Sequence, residues 1–389
     1  MKERSREPGL VKHVVERRLW GSSPFFLLDV GCSGGIERRW HLFGDHLRAI
    51  GFDPLVAEID RLNSLNPYPE VSYVAAFVTC REYDSLFPPE LRRDRIRSKN
   101  DDAFSRVSAT AVSERSDVSY VQERYNKGAP VVMTERAVEL DEVIETHDRS
   151  RVDFLKIDTD GHDIEVLLGA KALLAAGGLL GLKVEVSLQG AIHPCANTLG
   201  NLDGLLRQQG FSLFDLTMFR YSRRHLPAPF LYNQPALTTT GQTIQADAVY
   251  FRDLGAPDYE RMWAYEVTPE RVLKLACLFD SFDLPDCAAE LLVSRGGFLQ
   301  PDVREHLLDL LVTGEPGSYA KHMALFEADY KALYPNRLKS SAAAVDRKAP
   351  TKQVRHLRNR LVTLRKKNAS LRERLRARDE RIDKLTRQD

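Results

Sequence analysis

Hydrophobic and polar positions along this chain follow two periods in turn, helical and extended. Apolar residues recur at helical spacing over residues 10–20 and predict a short amphipathic helix. After the turn Gly21-Ser22-Ser23-Pro24, the run Phe25–Val30 is apolar apart from Asp29 and predicts a buried strand. A helix over about 36–47, a strand over Ala49–Asp53, a helix over Val56–Leu65 and a strand over Val71–Thr79 follow. Residues 81–130 are polar, rich in Arg, Ser and Asp, and weakly periodic; they predict a loop-like insertion over the site. Alternation resumes with strand Val152–Ile157, helix Ile164–Ala176, strand Leu179–Ser187 and helix Asn201–Gln209. Phe211–Leu216 and Ala246–Phe251 suit a closing antiparallel pair. Strands alternating with helices in this way imply parallel βαβ units in a doubly wound α/β sheet.

Past residue 255 the strand signal gives way to helical periodicity, as in Pro269–Phe282 and Val303–Leu311. The expected organisation is an N-terminal helix in 1–23, an α/β domain over 24–255 and a small helical domain over 256–337. A Ser/Ala/Pro linker over 338–350 and a tail over 351–389 complete it.

Charge divides the 389-residue chain unevenly. Residues 347–389 carry 16 Lys/Arg against 5 Asp/Glu, a net of +11, which leaves 40 basic and 50 acidic residues in the body. An acidic body with a basic tail bears on partners rather than fold. The five cysteines are scattered without a C-x-x-C pair, which argues against a disulfide framework and a structural zinc site. The charged N-terminus lacks an apolar signal core, and no stretch approaches the ~20 apolar residues of a spanning helix. A cytoplasmic protein is expected, with a tail that also suits the inner face of a membrane.

The first strand runs through Asp29-Val30 into Gly31-Cys32-Ser33-Gly34-Gly35 at a helix start. Such a turn needs residues without bulk so that backbone can approach a ligand closely. Asp29, just ahead of it, is placed to orient the glycine loop or to meet a cationic ligand group. Asp53 ends the next strand, 22 residues after Gly31, where a carboxylate accepts both ribose hydroxyls of an adenosyl group. A nicotinamide-type G-x-G-x-x-G pattern fails at Ser33. D-x-G-x-x-x-G with an acid closing the next strand favours S-adenosylmethionine, held by Asp29, Gly31, Ser33, Gly35, Asp53 and Asp158.

The segment from Val152 to Ala170 is the most informative. A strand ends in Asp158, Asp160, His162 and Asp163 around Gly161, at the strand edge where open α/β sheets bind ligands. Asp160 or Asp163 can also cap the following helix; that reading explains Asp158 poorly, since it still belongs to the strand end. Leu140-Asp141-Glu142, Lys156-Ile157-Asp158, Asp160-Gly161 and Ile164-Glu165-Val166-Leu167-Leu168-Gly169-Ala170 fall in an order that resembles the FkbM family of methyltransferases. The resemblance covers roughly residues 25–220. Departures are Asp160, where the family usually has Glu, and His162-Asp163, in place of a small residue and an acid.

What the resemblance implies is a Rossmann-like class I methyltransferase fold and S-adenosylmethionine-dependent methyl transfer to a hydroxyl of a sugar, glycan or secondary metabolite. Such a reaction needs the acceptor oxygen held ~3 Å from the methyl and its proton removed. Asp158 or His193 is the candidate base, His193 lying in the Gly190–Pro194 loop beyond strand Lys183–Ser187. Glu185 is the third candidate catalytic group. Asp158 with Glu185 could instead share a divalent cation, but two ligands alone do not make a metal site.

In the tail, Val354, Leu357, Leu361, Leu364, Asn368, Leu371, Leu375, Arg378, Ile382 and Leu385 recur with 3-4 spacing, a heptad seam with Asn368 at an a position. It predicts a parallel homodimer through residues 354–385. Arg360 would face Arg365 across it and Lys367 would face Arg372, which points to an anionic partner or lipid surface, the alternative being a solvated basic face with no ligand. The acidic body and the lack of an N/D-P-P-Y/F turn argue against nucleic acid. The alternative to an enzyme is a coiled-coil interaction protein that retains the cofactor-binding scaffold.

Overall fold

In the computed structural model the described residues are 8–86, 133–146, 151–159, 161–189, 192–222, 226, 228–229, 231 and 237–333. The expected insertion beyond Leu86, Asp160, the linker over 338–350 and the coiled coil over 351–389 lie outside them. The chain divides into two compact units, residues 1–319 and 320–389.

Nine strands are described: β1 Phe25–Val30, β2 Leu47–Asp53, β3 Val71–Ala75, β4 Phe77–Val78, β5 Ala137–Val138, β6 Phe154–Ile157, β7 Gly181–Ser187, β8 Phe211–Tyr221 and β9 Gln242–Arg252. Seven form one sheet in the order β3-β2-β1-β6-β7-β9-β8, and β4 pairs with β5 apart from it. Strands β3 through β7 are parallel; β9 runs antiparallel to both neighbours, so the expected closing pair is present, longer than predicted. This is the mostly parallel, Rossmann-like architecture expected. The order reverses between β1 and β6, and the crevice outside the carboxyl ends there is where such sheets bind ligands.

The helices are α1 Gly9–Glu16, α2 Val56–Leu65, α3 Leu140–Val143, α4 Asp163–Leu168, α5 Lys171–Ala175, α6 Leu199–Gln208, α7 Tyr259–Trp263, α8 Pro269–Ser281, α9 Pro285–Arg295, α10 Pro301–Leu310 and α11 Ser318–Leu333. A proline opens each of α8, α9 and α10, where its missing N–H costs no intrahelical bond. Among the described residues, no helix is long and apolar enough to cross a membrane.

Alternate strand residues feed two cores. Phe26, Leu28, Leu155, Ile157, Leu182 and Val184 pack with α4, α5 and α6 on one face. Phe25, Leu27, Phe154 and Phe251 face the other way, onto α1, Trp40, Phe43 and helices α8 to α10. Of the helices expected as a separate segment, α8 to α10 therefore share their core with the sheet and supply its second covering layer.

Three boundaries differ from expectation for visible reasons. The helix expected over 36–47 is a 3-10 helix, Arg38–His46, broken by a kink at Gly44 (φ +49°), with Trp40 and Phe43 buried at the threefold spacing before the kink and His46 buried after it. The third strand breaks at Ala76, whose N–H bonds to Asp53 while Phe77 turns to Arg136. The helix expected over 164–176 divides at Gly169-Ala170. There Asp141 accepts the amides of Ala172 and Leu173, each at 2.8 Å, and starts α5 as a separate helix. Gly169 is required at the break, because a Cβ would lie 2.3 Å from the carbonyl oxygen of Thr79.

Candidate active site

The glycine turn closes the gap between β1, β2 and β6. Gly31 leaves β1 at φ +78°, and a Cβ on it would lie 1.8 Å from the Asp158 carbonyl oxygen, so no other residue fits without moving β6. The amides of Gly31 and Cys32 both donate to Phe52 O, at 2.8 and 3.1 Å, and Gly34 N–H donates to Glu58 at 2.9 Å. A Cβ at Gly34 would meet open space, although its φ of +83° still favours glycine. The turn is thus pinned from behind and open in front.

Asp53 closes β2 and knits this turn to the second strand. Its carboxylate accepts Leu55 N–H at 2.9 Å and the Ser33 amide. Burial raises its pKa from the usual carboxylate value, and those two amide bonds oppose the rise.

At the centre stands a buried ion cluster. Parallel pairing sets Asp29 opposite Lys156, and their charged atoms lie 3.0 Å apart, each side chain under a tenth exposed. The Lys156 ammonium also donates to Gly31 O at 2.7 Å and lies 3.6 Å from Asp158. Burial pushes the Asp29 carboxyl up to about 6 against the pull of Lys156. Among the described residues its carboxylate oxygens accept no well-aligned hydrogen bond, so the lysine meets it as an ion pair. Lys156 itself is raised, the attraction of Asp29 and Asp158 outweighing its desolvation. Asp158 is the accessible member, with its side chain about half exposed.

The other sequence-predicted residues divide. Glu185 lies on β7 opposite Asp247 and donates its backbone N–H to Asp163 at 2.5 Å. Asp163, fully buried, also accepts the amide and hydroxyl of Thr159, and burial carries its carboxyl up to about 7. It ties the β6 loop to β7 rather than facing a ligand. His162 bonds Glu165 at 3.0 Å, and Glu165 accepts the Thr79 hydroxyl, so both serve the scaffold. His193 accepts Cys195 N–H on Nδ1 at 3.2 Å while its carbonyl holds Asn201 at 2.7 Å. With Nδ1 engaged as acceptor, the neutral ring carries its proton on Nε2, which suits it poorly as a base.

The structure thus brings Asp29, Gly31, Ser33, Gly35, Asp53 and Asp158 to one strand edge, with Glu185 one strand along. Sequence reasoning missed the roles of Lys156 and of Lys183, which pairs with Glu37 and Asp247 at 3.1 Å each. A lysine inside an otherwise apolar strand was the signal for Lys156, and a lysine two residues from Glu185 in a largely apolar strand the signal for Lys183. Among the described residues, no three His, Cys, Asp or Glu side chains converge to hold a metal ion.

Residues 94–213 match the model of the methyltransferase FkbM domain. Solved structures similar to the chain include a TehB-like SAM-dependent methyltransferase from Corynebacterium glutamicum, at 11% identity over 64% of this chain and 90% of that one, with a TM-score of 0.24. A SAM-dependent methyltransferase from Aquifex aeolicus is similar at 10% identity over 64% of this chain and 100% of its own, with a TM-score of 0.25. No curated protein matches the sequence.

Proposed function

We propose that the chain is an S-adenosylmethionine-dependent O-methyltransferase acting on a hydroxyl of a sugar, glycan or secondary metabolite. The observation that carries this reading is the convergence of Asp29, Asp53 and Asp158, at three adjacent parallel strand ends, on a glycine turn whose front is open.

The residues fit such a cofactor. Asp53, closing β2, is placed for the ribose hydroxyls; the Gly31–Gly35 backbone allows close approach; and the buried anion of Asp29 complements a cationic methionine end. When bound, S-adenosylmethionine supplies an electrophilic methyl group on a sulfonium. The protein then has to hold an acceptor oxygen in line and take its proton. Asp158 is the accessible carboxylate at that edge and receives the hydroxyl proton as the oxygen attacks. Lys156, fixed by Asp29 and the Gly31 carbonyl, lies 3.6 Å from Asp158 and positions it at that edge.

Residues 354–385 join two copies in this reading, and the basic tail meets an anionic partner or lipid surface. Calorimetric titration with S-adenosylmethionine and its demethylated product is the first test, followed by a methyl-transfer screen over glycan and polyketide hydroxyls. Absence of affinity for either molecule would end the proposal. Tight binding without transfer to any acceptor would favour a retained scaffold in an interaction protein.

A further inference from the structure

The sheet face under α1 and α8 to α10 changes character along the strands. Near the amino ends of β1 and β6 it is apolar, with Phe25, Leu27 and Phe154 in one core with Val249 and Phe251 of β9. Toward the carboxyl ends the same face becomes ionic. Leu182, Val184 and Val186 pack on the opposite face, so alternation turns Lys183 and Glu185 of β7 this way. Asp247 of β9 stands opposite Glu185, and Thr217 of β8 stands opposite Asp247. The Lys183 ammonium lies 3.1 Å from both Asp247 and Glu37. Side-chain exposure rises from 15% at Lys183 to 26% at Asp247 and 47% at Asp158. Burial raises the Asp247 carboxyl above its usual value and Lys183 opposes the rise. The charges of Asp158 and Glu37 add to it, so all three carboxylates lie within electrostatic reach of one another.

With a cofactor on the turn between β1 and β2, an acceptor has to lie beyond Asp158, over β7 and β9, where this pair is partly open. The chemistry of the pair narrows what can lie there. A hydroxyl donates to a carboxylate and accepts from an ammonium, so a polyol replaces the water that Lys183 and Asp247 give up. A phosphate or carboxylate group would instead meet Asp158, Glu185 and Asp247 at close range. A flat apolar ring would dehydrate Lys183 and Asp247 and return no hydrogen bond. Asp158 and Asp247 extend from strands two places apart, about 10 Å at the spacing of a sheet, a gap that a sugar ring and its outer hydroxyls bridge.

Resting on the methyltransferase reading above, we propose that Lys183, Asp247 and Thr217 form the acceptor subsite and select a neutral polyhydroxylated molecule over an anionic or a flat apolar one. They grip a second hydroxyl of the acceptor, across the ring from the one presented to Asp158. Glu37 fixes Lys183 from the side of the glycine turn, so the ammonium keeps its place whether or not an acceptor is bound.

The test is saturation-transfer NMR on the full chain loaded with the demethylated cofactor. Methyl glucoside and methyl mannoside serve as neutral probes, glucuronate and glucose phosphate as anionic ones, and catechol as a flat one. The neutral glycosides are expected to bind at least about tenfold more tightly than the anions or catechol. Asp247→Asn should weaken the glycosides about tenfold and narrow their lead over glucuronate. Thr217→Val should weaken them several-fold. Calorimetry with S-adenosylmethionine should be unchanged in both variants, which also shows that they fold. Anions or catechol that bind as well as the glycosides would overturn the proposal. So would glycosides that do not bind the cofactor-loaded chain, or whose affinity ignores both substitutions; in each case the cofactor reading stands. A chain with no affinity for either form of the cofactor would instead take both readings down together.

Discussion

Lys156→Met removes the ammonium that lies 3.0 Å from Asp29 and 3.6 Å from Asp158 and holds Gly31 O at 2.7 Å, while keeping a side chain of similar reach. Lys156 and Asp29 are both buried, so losing one strands the other, and breaking a buried pair this way costs about 3–5 kcal/mol. Asp29 has an escape. Its carboxyl already stands at about 6 because of burial, and without Lys156 it rises further, so near neutral pH it takes up a proton. That lowers the expected loss at neutral pH to about 2–3 kcal/mol, of which roughly 1 kcal/mol belongs to the Gly31 bond. A carboxyl whose folded pKa lies above its unfolded value binds its proton more tightly when folded, so its contribution fades as pH rises through the folded value. In the variant that value moves above 6, so the native state depends on a proton that alkaline solution removes. The Tm gap between variant and parent, followed by thermal melts, should widen from about pH 5.5 to about pH 8. Adding Asp29→Asn to Lys156→Met should restore most of the loss. A gap that stays flat with pH, or a double variant no more stable than the single one, would show that Lys156 is not the counter-ion on which Asp29 depends.

Gly31→Ala should be among the most damaging small substitutions, since its Cβ meets Asp158 O at 1.8 Å with φ at +78°. A loss of roughly 3 kcal/mol or more, with loss of cofactor binding, is expected by melting and calorimetry; an unchanged melt would refute the close β1–β6 approach. Asp53→Ala should weaken S-adenosylmethionine and its demethylated product alike, by about 10- to 100-fold in titration, because each loses the same ribose acceptor. Affinity for the sulfonium, unlike that for the neutral product, should climb as pH rises through about 6 and Asp29 ionises, and Asp29→Asn should flatten that climb. Asp158→Asn should lower kcat by about 10²–10⁴ if it is the base, whereas His193→Gln should stay within a few-fold; the reverse ranking in a transfer assay would reassign the proton.

Local pattern carried the sheet and the glycine turn into view because both are short-range signals. The run Phe25–Val30 is buried at every position, as an apolar run between helices should be, and Gly31, Gly34 and Gly35 all take positive φ. Asp53 was legible from its place after a second such strand. What stayed hidden required a partner distant in sequence. Periodicity marks which face of α8 is apolar, not what covers it, and in fact ten consecutive residues from Val272 to Ser281 are buried between sheet, α1 and α9. The helical segment therefore read as a unit of its own, when its helices α8 to α10 are the sheet's second layer.

Charges inside apolar segments would have repaired much of that. Lys274 sits in the buried helix because it bonds Asp153 at 2.9 Å, and Asp153 in turn holds Phe26 N–H, tying α8 to β1 and to the start of β6. Asp280 accepts Val11 N–H at 3.1 Å across 269 residues and anchors α1. Lys156 meets Asp29 in the same way at the opposite edge of the sheet. An ionised group is too costly to bury unmatched, so each such residue announces a partner that local pattern cannot name. Three lysine–aspartate or aspartate–amide links, one at the ligand edge and two on the covered face, join segments that sequence reading had treated separately. The same rule separates Asp163 from Asp158. Asp163, wholly buried, spends its oxygens on Thr159 and Glu185, while Asp158, half exposed beside Lys156, keeps a carboxylate for something that arrives.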